Sequence, residues 1–311
     1  MLVALKPFRA FLAACLLVSA LALLLGSAHA GLIAGLCLLI LIAGLPHGAF
    51  DLYIMAYRYQ GQTLSLAIGV YLGLIALTVL VWLFLPLVFL TGFLAYSAYH
   101  FGDSDWPGTS LGQKLAWGVS IVGLPCLIAS NQVAPLFETI TGLPDLSRFT
   151  AIAGLLAIPA CLLSGLSWMM RRQSQSDQAS AQLPTTTASG LLLLCYALAC
   201  ALSGPLAAFA CYFACLHGPF HLDRWQKRIA PPSNLGIYAL STLVIGCVGA
   251  LAFWLPANID SSASTLAALA DQLDSSALEK SVLDDSVLRY TFVALAALTV
   301  PHMTLLMLAK R

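Results

Sequence analysis

Apolar runs of about 20 residues follow one another along this chain with short polar breaks between them, and that is the length an α-helix needs to cross a hydrocarbon layer. The apolar positions come in continuous blocks rather than at every second residue, so the pattern predicts membrane helices and not the strands of a barrel. Spans are expected at residues 10–28, 31–57, 64–86, 88–104, 112–130, 148–170, 188–203, 205–224, 234–256 and 287–308. Turn chemistry separates them: Gly61-Gln62, Pro86, Pro107-Gly108, TGLPD at 141–145, the polar Ser/Gln/Thr linker 171–187, Gly204-Pro205 and Pro231-Pro232. The fourth and seventh spans are short for a crossing. The expected fold is therefore all-α, a polytopic transmembrane helical bundle of about ten spans, with eight to ten allowed.

Charge gives the bundle a direction. With the N-terminus cytoplasmic, ten spans put all the Lys and Arg residues on the cytoplasmic side except Arg148, Lys280 and Arg289. Both termini are then cytoplasmic and the expected location is the cell inner (plasma) membrane, multi-pass. The opposite face receives the loop 131–147 and the longer outer loop 257–286, whose STLAALADQLDSSALEK stretch predicts a short amphipathic helix. Residues 1–30 read as a retained first helix or a signal-like segment, since Lys6, Arg9, the apolar stretch from Phe11 to Leu25 and the AHA at 28–30 also suit a cleavable signal. Residues 31–311 form the transmembrane bundle that carries the candidate chemistry. No clear internal repeat is present, nor an inverted pair of Gly/Pro-broken segments of the transporter kind.

Composition agrees with this picture and removes other classes. The chain has 311 residues, 60% hydrophobic and 9% charged, against about 25% charged in soluble domains. Nucleic-acid binding has no support, because the basic residues are few and scattered between apolar segments. The nine cysteines lie inside apolar runs without a C-x-x-C pair and read as small hydrophobes.

What hydropathy does not explain is a set of ionisable residues inside the spans, where each costs roughly 2.5–3.5 kcal/mol and so marks a function. Of the six histidines, His47, His100, His217, His221 and His302 fall in spans that all run from outside to inside, each in the cytoplasmic half. A helical rise of 1.5 Å per residue then puts the five in a slab on the order of 10 Å thick. That is what a metal site in a bundle core requires. His217 and His221 in CLHGPFHLDRW are four apart and share a helix face, although Pro219 between them breaks the regular ladder. His47 in GLPHGAFD and His100 in YHFGDSDW complete a set of four imidazoles. Asp51, Asp103 and Asp223 follow these histidines at short spacing and suit carboxylates that accept the other ring N–H of a ligand. His302 in TVPHMTLLM is expected behind the ligands or in a substrate pocket, and Tyr99, Phe101, Tyr212 and Phe220 are among the aromatics that suit the wall of a tunnel for a long apolar substrate. His29 is expected at the membrane boundary. Imidazole ligation backed by carboxylates suits iron or zinc, and iron(II) with open positions can bind O₂.

The ordered blocks GLPHGAFD at 44–51, YHFGDSDW at 99–106, HGPFH at 217–221 and PH at 301–302 resemble the Brp/Blh family of membrane β-carotene dioxygenases of bacteria and haloarchaea. The likeness runs from about residue 35 to the C-terminus, with PHGAFD and HFGDSD its specific parts. The resemblance implies oxidative cleavage of the central double bond of β-carotene by O₂ at a non-haem Fe(2+), giving two molecules of retinal for a rhodopsin. It also implies His47, His100, His217 and His221 as the metal ligands. The competing classes are a metal or proton transporter, which would also place His and Asp at depth, and a non-catalytic rhodopsin-associated protein. A di-iron hydroxylase normally needs about eight histidines, and a haem carrier would betray itself by a Soret band.

Overall fold

A hydrocarbon layer offers no water to satisfy backbone N–H and C=O groups, so a spanning chain must satisfy them internally, and this sequence does so with helices. A computed structural model describes residues 6–26, 29–174, 185–221, 223 and 275–309, and every regular element among them is helical. In chain order these are α1 (Lys6–Leu25), α2 (Ala30–Arg58), α3 (Gly61–Phe84), α4 (Pro86–Asp105), α5 (Leu111–Ile128), α6 (Ser130–Thr141), α7 (Ser147–Ser174), α8 (Thr185–Ser203), α9 (Pro205–Tyr212), a π-helical turn (Phe213–His217) and α10 (Ser275–Ala309). The expected span 234–256, the middle of the linker 171–187 and the loop residues 257–274 lie outside the described residues.

The ends of the helices follow local chemistry. Pro86 and Pro205 occupy first-turn positions, where a missing N–H costs nothing, and Gly204 before the second adopts a left-handed backbone at φ 90. Ser110 caps α5 in a reciprocal box with Gln113. α3, α5 and the Ser147–Leu166 part of α7 are each long and apolar enough to cross a membrane. Leu16, Leu23, Leu24, Leu66 and Phe84 stand exposed on the outside of the bundle. In water such a surface would aggregate; in lipid it is the solvated face. The protein is a helical membrane bundle.

Two boundaries differ from the hydropathy reading. The loop expected at 131–147 contains α6, whose buried Val133, Ala134, Phe137, Ile140 and Thr141 form one helical stripe too short to register as a span. Gly142, left-handed at φ 71, ends it. Trp82 donates to the carbonyl of Ile140 and Arg289 to that of Thr139, which pins α6 against α3 and α10. The second difference is α10, which begins at Ser275 rather than 287. Its first turns, SSALEKSVLDDS, are too polar to register as a span; the helix expected over STLAALADQLDSSALEK is present over residues 275–280 and runs on into the span.

The helices that carry the histidines run in the same direction. Gly44 packs on Leu295 and Asp51 bonds His302, seven residues further along both α2 and α10. Phe209 packs on Phe292 and, further along both segments, His221 meets His302. α3 runs against α10, with Tyr71 clustered with Leu305 and Trp82 on Tyr290, and α4 turns back from α3 after Leu85, so α4 runs the same way as α10. Parallel helices with matched spacing bring residues far apart in sequence to one level. A tight crossing of α4 and α5 then fixes that level: a Cβ on Gly102 would lie 1.9 Å from the carbonyl oxygen of Lys114, and one on Gly118 1.6 Å from that of Ala98. Only glycine permits this approach, the small-residue packing typical of membrane helices.

Candidate metal centre

α4 presents Phe93, Ser97, His100, Phe101 and Ser104 on one buried face, the i, i+3, i+4, i+7 pattern of a helix turned to a core. Opposite it, the chain after α9 opens into the π-turn, where the N–H of Gly218 reaches back five residues to the carbonyl of Phe213. Pro219 gives the reason: a proline has no N–H to donate and its ring collides with the carbonyl four residues earlier, and a widened turn removes the collision. The helical path then resumes and sets His217 and His221 nearly parallel, ring centroids 5.9 Å apart.

His100, His217, His221 and His302 are all buried and meet. The Nε2 atoms of His217 and His100 are 3.2 Å apart and those of His302 and His221 3.1 Å. One nitrogen from each of His100, His221 and His302 lies within 4.8 Å of the others, close enough to hold one metal ion. What stands behind the rings decides what faces inward. Asp105 contacts Nδ1 of His217 at 2.8 Å and also accepts from the hydroxyl of Tyr212 and, at 2.9 Å, from the indole of Trp117. Asp51 contacts Nδ1 of His302 at 2.6 Å and accepts from Tyr71 at 2.9 Å. A carboxylate only accepts, so His217 and His302 carry a hydrogen on Nδ1 and turn Nε2 to the centre. Ser104 meets Nδ1 of His221 at 2.7 Å. Buried imidazoles that converge on one place and are held from behind by carboxylates are the donor set of a histidine-ligated metal, so these residues fit one.

The centre closes one end of a cavity of about 1000 Å³, counted with its opening. From His100 and His302 the wall runs past Phe101, Phe209 and Phe213 toward Leu136 and Phe137 of α6. Ser97, Thr299 and Tyr196 add hydroxyls to a wall that is otherwise almost entirely apolar.

The sequence-predicted residues distribute as follows. His100, His217 and His221 come together, and His302 joins them at the centre as well as lining the cavity. His47 lies in α2, its side chain outside the described part. Asp51 sits behind His302. Asp103 forms an ion pair with Lys114 at 2.7 Å, and Asp223 is exposed. Phe101 packs edge-on against His217, and Tyr212 bonds Asp105 rather than facing the cavity. Tyr99 and Phe220 are half-buried and outside the cavity wall. Sequence reasoning missed Asp105, Ser104 and Tyr71. Ser104 had a signal, since it follows His100 by four residues, and Asp105 stands in the same relation to Phe101.

Residues 38–309 match the family model for beta-carotene 15,15'-dioxygenase, which covers most of the chain. The chain belongs to the beta-carotene 15,15'-dioxygenase family. It is also 27% identical, over 284 residues, to a beta-carotene 15,15'-dioxygenase of an uncultured marine bacterium 66A03, an alignment that covers 86% of this chain and 90% of the relative. No solved structure matches it. Membership makes this protein an enzyme of the carotenoid-oxygenase class, and the histidine centre and apolar cavity are the parts that suit such an enzyme.

Proposed function

We propose that this protein cleaves the central double bond of β-carotene with O₂ to give two molecules of retinal, at an Fe(2+) held by His100, His221 and His302, with His217 and His47 as the further imidazoles. The observation that carries the reading is the convergence of inward-facing imidazole nitrogens at one end of an apolar cavity. Iron(II) on neutral imidazoles supplies the activation of O₂. The chain's own residues do the rest. Asp51 and Asp105 hold His302 and His217 in one tautomer and orientation. The aromatic and aliphatic wall binds a hydrocarbon with no polar group of its own, excludes water, and sets which double bond reaches the centre. A carotenoid dissolved in the bilayer reaches such a site without crossing water. The cytoplasmic orientation of both termini, about ten spans in the inner membrane, and delivery of retinal to a rhodopsin complete the proposal.

The test is a β-carotene-producing bacterial strain expressing wild type, His47→Ala, His217→Ala or His302→Ala, with pigments extracted and separated. Orange colour is lost and retinal accumulates only with the wild type. Unchanged carotene in cells holding well-expressed, iron-loaded wild type refutes the assignment.

A further inference from the structure

Hydroxyls in membrane helices ordinarily bond a carbonyl one turn back on their own helix. Thr78, Thr91, Ser120, Thr299 and Thr304 all do so here. Ser97 does not. It is 6% exposed, and among the described residues it makes no hydrogen bond at all. It stands in the cavity wall three residues before His100 on the same face of α4, as Thr299 stands three before His302. The hydroxyl of Tyr196 in the same wall is buried without a partner too, but Ser97 is the one a turn from the candidate centre, and a hydroxyl that faces a cavity with no partner is a group awaiting one.

The chemistry of the proposed reaction names the partner. β-Carotene is a hydrocarbon and offers Ser97 nothing. Cleavage breaks one carbon–carbon double bond and places one atom of O₂ on each of its two carbons as an aldehyde oxygen; both oxygen atoms are accounted for and no further reductant is consumed. The only acceptor that arises in the apolar part of the cavity during the reaction is therefore that oxygen. We infer that the Ser97 hydroxyl donates a hydrogen bond to the carbonyl oxygen of one aldehyde product, an inference that rests on the β-carotene-cleaving reading. Such a donor is satisfied as the oxygen arrives and idle while only the hydrocarbon is bound. It lowers the energy of the oxygen-bearing states relative to the substrate complex, which is what raises a rate.

The experiment compares wild type, Ser97→Ala and Ser97→Thr, each purified whole in detergent. Retinal is added without O₂, and the carbonyl stretch of the bound aldehyde is read by infrared difference spectroscopy. The hydroxyl lowers this frequency in wild type. In Ser97→Ala it rises to the unbonded value, retinal binds about five- to tenfold more weakly, and kcat on β-carotene falls about tenfold while KM stays put. Ser97→Thr restores the frequency. Equal frequencies and equal retinal affinity in wild type and Ser97→Ala, with wild type active on β-carotene, overturn the inference alone. A wild type that neither cleaves β-carotene nor binds retinal overturns the functional reading beneath it.

Discussion

Replacing Gly118 by alanine adds a single methyl group far from any reacting atom, and the structure makes it a severe change. The new Cβ falls 1.6 Å from the carbonyl oxygen of Ala98, whereas ordinary contact begins at 3.4 Å, so the backbones of α4 and α5 must separate by about 1.8 Å. No flexible side chain can yield, because the obstacle is backbone. Ala98 stands two residues before His100, and the displaced segment carries that imidazole away from His217, 3.2 Å distant at Nε2. Overpacking of this kind costs ~1–3 kcal/mol of stability, and a misplacement of about 1 Å at a reacting centre costs on the order of 100-fold in rate. Gly118→Ala is expected to lose at least ~100-fold in β-carotene turnover and most of its metal, and Gly102→Ala to behave alike. Gly92→Ala on α4 and Gly112→Ala on α5 meet nothing within 4 Å and serve as controls on the same two helices. Retinal formation and metal content of the purified variants are measured together with detergent-solubilised yield. Full activity and metal in Gly118→Ala would refute the claim that this crossing sets the position of His100.

Asp105→Asn and Asp51→Asn remove the carboxylates that hold His217 and His302, and each is expected to weaken metal affinity ~10–100-fold in a chelator competition. Asp103→Asn breaks the ion pair with Lys114 and should stay within about threefold of wild type; the reverse order would put the supporting carboxylate at Asp103. Leu136→Trp narrows the cavity where it approaches α6. Its kcat/KM for β-carotene should fall more than about tenfold while a shortened apocarotenoid is spared, and an equal loss on both substrates would show that this end does not hold the far ring.

Much of the architecture was legible because a hydrocarbon solvent constrains it so strongly. Long apolar blocks, Pro86 and Pro205 at helix starts and histidines in alternate spans led to a bundle whose histidine-bearing helices run the same way. α6 was missed because hydropathy reports contact with lipid and its helix rests on a buried stripe; over 275–280 a helix was expected, but as a separate surface element rather than as the start of α10. At the centre, periodicity paired His217 with His221 because four residues is a local distance. It could not pair Asp51 with His302, since that contact depends on the register between α2 and α10 across 251 residues. Asp103 and Asp105 show the same limit from the other side. Three residues after a histidine is a plausible place for a supporting carboxylate, but the helix turns it toward α5 and Lys114, while Asp105, at the last position of α4, reaches His217.

The most direct test of the central claim is an iron titration of metal-stripped protein in detergent, reading retinal formed from β-carotene in air, for wild type beside His302→Ala. The account predicts that wild-type turnover rises with added Fe(2+) to a stoichiometric end point, that Zn(2+) does not substitute, and that His302→Ala neither retains the iron nor recovers turnover. Full iron binding and full turnover in His302→Ala, or equal activity with zinc, would contradict it.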